Sequence, residues 1–214
     1  MNKIAAAIAM ALIAGTAGAS TVQIQTGNVD LNAADGYAQP TTSASFQSTV
    51  DQAVAGASKT AITAFDYYQT NINSKAFDAT ITFNATTGGE WDFRAGVDFG
   101  QGGTLVLDAG TANAVVLATS TGNMWWAGDW NNSSSILAGS VLDLSVGTHT
   151  LNLFGIEDCC SGFQSAQFKN SAGGFTSFGL HDGMTSPVPE AQSIAMLLAG
   201  LGLVGTVARR RKQA

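Results

Sequence analysis

The sequence predicts an all-β fold, an antiparallel β-sandwich of jelly-roll-like form, with an apolar helix at either end of the chain. Three observations carry this. Apolar and polar residues alternate with period two through residues 77–83, 91–99 and 141–156. Glycines punctuate those runs at 88–89, 100–103 and 147, the spacing of turns between short strands. Two apolar stretches without alternation stand at the extremes, one followed by small residues and the other by arginines.

Residues 21–58 are mostly Ala, Ser, Thr and Gln and supply one strand near 22–25 and a short helix near 45–55. Ile62, Ala64 and Phe65 then precede Tyr67 and Tyr68. Leu105, Leu107 and Ala109 share a face beyond the turn at 100–103, and residues 115–119 form a further strand. Leu142, Leu144 and Val146 face one way. After the turn at Gly147, so do His149, Leu151 and Leu153, and segments 164–169 and 174–178 close the set. No repeat, heptad or dinucleotide-binding pattern interrupts this order.

The ends of the chain speak to location. Lys3 precedes an apolar run over 4–14, and Ala17-Gly18-Ala19 follows, so residues 1–19 have the three parts of a secretory signal with cleavage between Ala19 and Ser20 by signal peptidase. A helix over 4–14 is about 16 Å long, too short for a lasting span. At the other end, a Pro-Glu motif leads into an apolar helix over 194–208 that contains Gly200, Gly202 and Gly205. Arg209, Arg210, Arg211 and Lys212 follow, a cluster that holds the cytoplasmic side and leaves the rest of the chain outside. The order of proline-glutamate motif, apolar helix and arginine-rich end in residues 187–214 resembles the PEP-CTERM sorting signal. That resemblance implies processing by an exosortase-type transpeptidase and a transient hold in the membrane through the C-terminal helix. Pro189, Glu190 and Ala191 occupy the motif, with alanine where a second proline is usual. An ordinary single-span anchor is the alternative.

Between these ends lies one domain, residues 20–186, with fourteen acidic residues against Lys59, Lys75, Arg94 and Lys169, a net charge of −10. Such a domain repels nucleic-acid phosphates and anionic lipid, and suits cations such as calcium or neutral sugars.

Trp125, Trp126 and Trp130 lie close to Asp129, Asn131 and Asn132, the mixture of rings and amides with which proteins hold sugars. Asp98 and Asp108 are weak calcium candidates. With Asp129, Glu157 and Asp158 they lack the spacing of a known loop, and each reads singly as a surface acid. His149 and His181 belong to no catalytic motif, so the sequence predicts a protein without enzymatic activity, although a folded carboxylate pair escapes any spacing rule.

Cys159 and Cys160 are adjacent. Neighbouring Cα atoms are about 3.8 Å apart, below the usual disulfide range. An oxidising exterior leaves three states open: a strained bond between them, two free buried thiols, or pairing with another chain. Gly162 would give the backbone freedom to leave their turn.

Residues 91–169, with Trp91-Asp92-Phe93-Arg94, Gly147-Thr148-His149-Thr150-Leu151 and above all Cys159-Cys160-Ser161-Gly162, resemble the CCXG subgroup of PEP-CTERM proteins. The same order is similar, more weakly, to the protective-antigen-type β-sandwich, many of whose members bind sugars, sometimes through calcium. Asp98-Phe99 stands where the sugar-binding members carry an Asp-Asp pair. The functional expectation is an exported surface or exopolysaccharide-matrix protein; the alternatives are a carbohydrate-binding module, with calcium as a possible helper, and then an extracellular hydrolase.

Overall fold

The computed structural model describes residues 19–32, 34, 36–69, 75–160, 162–171 and 173–184. The expected terminal helices, Ala17, the motif at 189–191 and the cluster at 209–212 lie outside the described residues. In chain order the elements begin with β1 (Thr21–Asn28), helix α1 (Ser43–Val54), β2 (Thr60–Ile62), β3 (Tyr68–Gln69), β4 (Lys75–Ala85), β5 (Gly89–Gly96) and β6 (Asp98–Phe99). They continue with β7 (Gly103–Leu107), β8 (Val115–Ser120), β9 (Met124–Trp125), β10 (Ile136–Leu144), β11 (Gly147–Glu157), β12 (Phe163–Asn170) and β13 (Thr176–Ser177).

The alternation in β4 and β11 decides the architecture. The two strands pair antiparallel along their whole length, from Gly147 opposite Ala85 to Glu157 opposite Lys75. Phe77, Ala79, Ile81 and Phe83 of β4, with Leu151 and Leu153 of β11, fall on one face, while Ala76, Phe154 and Ile156 fall on the other. Both faces are therefore apolar and both must be covered. The first sheet, in the order β2-β1-β4-β11-β7-β8, turns its inner face to a second sheet, β10-β5-β12-β13 with β3 on the end of β12. Trp91, Phe93, Ala95 and Phe168 of the second sheet meet Phe77, Ile81, Phe83, Leu105 and Leu151 of the first, and Phe65 and Phe178 fill the space beside them. Burying each of the Phe, Leu and Ile side chains among them contributes about 1.5–3 kcal/mol. The strand content and antiparallel pairing agree with the sandwich that the sequence predicts.

Helix α1 covers the outer face of the first sheet. It starts where Thr42 and Ser45 cap each other: the Ser45 amide donates to Thr42 Oγ1 at 3.2 Å, and the Thr42 amide donates to Ser45 Oγ at 3.0 Å. Phe46, Val50 and Val54, spaced four apart, then form one buried stripe against Ala76, Val106, Phe154 and Ile156. Asp78 is buried beneath the helix, and burial, followed by the nearby Asp51 charge, pushes its carboxyl up to about 6. Among the described residues, no helix covers the outer face of the second sheet.

Two local expectations fail. The pairing of β10 with β5 shifts register between Val141 and Leu144, so Leu142 is exposed while Leu144 is buried, and Val146 is exposed in the turn. A bulge of this kind reverses the side-chain parity that strict alternation assumes. Ala109 also leaves the face of Leu105 and Leu107 and packs with the α1 cluster, because Asp108 adopts a left-handed backbone (φ 52°) just after β7 ends.

The domain closes on itself where it begins. Ser20 is buried, and its amide donates to Asp182 Oδ1 at 3.5 Å. Asp182 also accepts from the amides of Gly179 (3.1 Å) and Met184 (2.9 Å). A chain cleaved between Ala19 and Ser20 would carry its α-ammonium at this carboxylate. Asp182→Ala is expected to lower stability by about 1–3 kcal/mol, through the loss of these bonds. Thermal melts should show a larger loss for a chain that begins at Ser20 than for one with residues before it.

Candidate functional site

The first candidate site is an acidic corner at the end of β11, built on an aromatic ring. Gly103 and Gly155 are opposite one another in the β7–β11 pairing, and the Phe99 ring occupies the space their side chains would take. A Cβ on Gly155 would sit 2.1 Å from that ring. Phe99 thus ties the short β6–β9 ribbon to the first sheet and directs Asp98 toward the loop after β11.

There Asp98 and Glu157 are buried, with exposures of 8% and 1%. Glu157 Oε1 accepts from the amides of Asp158 (3.1 Å) and Cys159 (3.0 Å), and Oε2 accepts from Gly100 (3.1 Å). Gln101 Nε2 donates to Asp158 Oδ2 at 2.8 Å. Burial, with the charges of Asp98 and Asp158 adding to it, pushes the Glu157 carboxyl up to about 7 despite its amide donors. Burial and then Asp158 push Asp98 up to about 6. The reading of these two residues as surface acids is therefore corrected: the glycines at 100 and 162 let the chain fold over them. A Cβ on Gly162 would lie 1.5 Å from Asp98 Oδ2, and one on Gly100 would lie 1.9 Å from Asp158 Oδ1. Gly162 serves by its lack of a side chain, while the left-handed backbone of the turn belongs to Cys160 (φ 68°).

Cys159 and Cys160 are both exposed and unbonded in this loop, which removes the buried-thiol state from the three expected. The hydrogen bond with Cys160 is the first cause that pushes the Cys159 thiol up to about 11. Ligand atoms of Glu157, Asp158 and Cys159 lie within 4.8 Å of one another. The carboxylates suit a hard cation and the thiol does not.

The other calcium candidate, Asp108, is at the far end of β7 and is otherwise engaged. Its Oδ2 is 2.7 Å from His149 Nδ1, and its Oδ1 accepts from the Thr150 amide at 2.8 Å. The opposite ring nitrogen of His149 faces the Ser145 carbonyl at 2.9 Å and the Ser145 hydroxyl at 3.4 Å. Ser145, His149 and Asp108 therefore share the spatial order of a catalytic triad, with the Ser145 carbonyl nearer than its hydroxyl to the ring. A general base needs a free lone pair at the nitrogen facing the nucleophile, and here that nitrogen meets a carbonyl that can only accept. His149 clasps the turn before β11.

The second candidate site lies on the uncovered face of the second sheet. Successive residues of a strand point to opposite sides, so Trp125 and Trp126 part company. Trp125, opposite Asp98 in the ribbon, is 71% exposed beside the acidic corner. Trp126 is fully buried and lies against Gly96 of β5, where a Cβ would sit 2.3 Å from the indole. Tyr67 packs on Trp126 with ring centroids 5.2 Å apart, and Trp130 packs on it at 4.7 Å. Tyr67 has a left-handed backbone (φ 50°), held by the hydrogen bond that its amide donates to Ser165 Oγ at 2.7 Å, and its ring is half exposed. Phe163 adjoins Tyr67 at 5.8 Å. On the far side of Trp130, the Arg94 guanidinium carbon is 4.2 Å from its ring centroid and 3.7 Å from that of Phe175. Asp129 Oδ1 accepts from the Asn131 amide at 2.8 Å and its side chain at 3.1 Å, which fixes the loop that carries Trp130.

The residues expected to hold a sugar are thus divided: Trp125 stands at the acidic corner, Trp126 and Trp130 belong to the ring face, Asp129 and Asn131 brace the loop, and Asn132 Nδ2 donates to Ser135 Oγ at 3.3 Å. Tyr67, Arg94, Phe163 and Phe175 were not among them. Arg94 alone left a sequence trace, as the outward residue between Phe93 and Ala95.

Two comparisons bear on this geometry. Residues 187–212 match the PEP-CTERM protein-sorting motif. Among solved structures, the PA14 sugar-binding domain from an RTX adhesin is similar in fold, with a TM-score of 0.53 at 14% identity over 78% of this chain and 98% of that one. The PA14 domain of the MpAFP antifreeze protein gives 0.49 at 11% identity, covering 77% of this chain and 89% of its own. The A domain of epithelial adhesin 9 from Candida glabrata, in complex with Galb1-3GlcNAc, gives 0.48 at 10% over 80% and 90%. No curated protein sequence matches the chain. The first of these structures gives the domain a PA14-like β fold, and the sorting motif stands outside it.

The acidic corner sets a pH dependence. Asp98, Glu157 and Asp78 have folded values raised above the ordinary carboxylate range, so their contribution to stability is complete below about pH 4 and is lost as pH rises through 6–7. In a chelator, the melting temperature should fall between pH 5 and pH 8. Glu157→Gln should flatten the fall, and an unchanged slope would count against the corner.

Proposed function

We propose that this chain is an exported, exosortase-sorted protein of the cell surface or exopolysaccharide matrix, without enzymatic activity, and a member of the CCXG subgroup. The match of residues 187–212 to the PEP-CTERM motif carries the sorting reading. Signal peptidase would act at Ala19–Ser20, and the tail helix would hold the precursor until processing. The Cys159-Cys160 pair and Gly162 support the subgroup, since the loop they form closes over Asp98. The engagement of both His149 nitrogens supports a non-catalytic role.

A second reading adds to the first. The domain binds carbohydrate, as its protective-antigen-type resemblance implies, and the exposed rings of Tyr67, Phe163 and Phe175 favour it. Aromatic faces stack on the apolar faces of sugar rings, and nearby polar groups take the hydroxyls. If calcium assists, its ligands would come from Asp98, Glu157 and Asp158.

Deleting residues 209–212 is expected to release the precursor from the membrane fraction, since those charges fix the tail. A truncated precursor that still sediments with membrane would refute the sorting reading. For the second reading, the protein should bind immobilised glycans, and Tyr67→Ala with Phe163→Ala should weaken retention at least tenfold. Adding a chelator separates a calcium-dependent mode from a ring-only one.

A further inference from the structure

The uncovered face of the second sheet carries a charge that the stacking of rings does not explain. Of the four basic residues in the domain, Arg94 and Lys169 lie on this face. Lys169 is neutralised by Asp92 at 2.7 Å. Arg94 makes no ion pair among the described residues. Its Nε (2.9 Å) and one terminal nitrogen (2.5 Å) donate to the single oxygen Gln167 Oε1, and Gln167 is held in turn through its own amide nitrogen by Ser177 Oγ at 3.1 Å. A guanidinium has five N–H donors in a planar fork, so donors remain for a further acceptor beyond Gln167. The rings of Trp130 and Phe175 pack on the guanidinium and fix its plane. The result is a pre-oriented cation, without a counter-ion among the described residues, on the same face as the exposed rings of Tyr67, Phe163 and Phe175.

We infer that this face binds a glycan that carries isolated carboxylates, with Arg94 receiving one uronate group while the exposed rings of Tyr67 and Phe163 stack on other sugars of the same chain. The inference rests on the carbohydrate reading above and deepens it. The spacing of charge in the ligand follows from two ranges of electrostatics. Within a few ångströms the carboxylate meets one unpaired guanidinium, the bidentate pairing that arginine forms best. Beyond the Debye length of about 8 Å at physiological ionic strength, a domain of charge −10 is screened for a singly charged sugar. A polyuronate brings many charges into the field of the whole domain and is repelled. The site therefore favours a largely neutral polymer with sparse uronates over both a neutral chain and a dense polyanion.

The test uses the full-length chain in detergent and three galactose hexamers: neutral, carrying one galacturonate, and fully galacturonate, with affinities from calorimetry in chelator. The singly charged hexamer should bind at least tenfold more tightly than the other two. Arg94→Gln should abolish the difference between the singly charged and the neutral hexamer. Raising salt should weaken the singly charged hexamer and strengthen the polyuronate. Equal affinity for neutral and singly charged hexamers, or preference for the polyuronate, overturns the inference and leaves the carbohydrate reading standing. No binding of any hexamer overturns both. Thermal melts establish that Arg94→Gln is folded, and Phe175→Ala, which removes one ring beneath the guanidinium and leaves the charge, should reduce the tenfold preference without abolishing it.

Discussion

The geometry of this domain depends on one close approach, the Phe99 ring lying in the space that Gly103 and Gly155 leave open. A side chain on Gly155 would displace that ring, and one on Gly103 would meet the Phe154 carbonyl at 2.6 Å and the ring at 3.0 Å. The contact fixes the β6–β9 ribbon against the end of the first sheet, and everything carried by the ribbon follows. Asp98 is turned inward beside Glu157, Trp125 is left in solvent, and Trp126 is driven down onto Gly96. The acidic corner and the ring face are thus two consequences of one packing decision, since alternation along the ribbon sends adjacent tryptophans to opposite sides.

The two sheets resolve their outer faces differently. The first sheet is apolar on both sides and is covered by α1. The second is apolar inside, with Asp92, Arg94, Gln167 and Lys169 outside, and it receives loop-borne rings in place of a helix. A covered face stabilises the fold, whereas a face finished with half-exposed rings is available to a ligand.

Much of the fold was legible in the sequence because side-chain alternation is a property of the strand itself. The β4 and β11 patterns pointed to a sandwich and a short helix was expected near 45–55, while its Thr42–Ser45 cap and its Phe46, Val50 and Val54 stripe are findings of the structure. The failures share a cause. Asp98 and Glu157 were read as surface acids because their burial is imposed by a loop some sixty residues away in the chain. The bulge at Val141–Leu144 reverses parity without any marker residue. The ring face draws Tyr67, Arg94, Trp130, Phe163 and Phe175 from separate segments, so no local motif announces it. Gly162 was singled out correctly as necessary, but for the wrong physical reason, since space and not backbone freedom is what Asp98 requires of it.

The central claim is that the ring face of the second sheet, and not the acidic corner, is the binding surface. An NMR titration of the labelled protein with a uronate-bearing oligosaccharide tests this most directly. The account predicts shifts at the Arg94 Nε–H and at the Tyr67, Trp130 and Phe163 rings, with the Trp125 indole and the Glu157–Cys160 amides unmoved. Shifts concentrated at Trp125 and residues 157–162, with Arg94 silent, would contradict it.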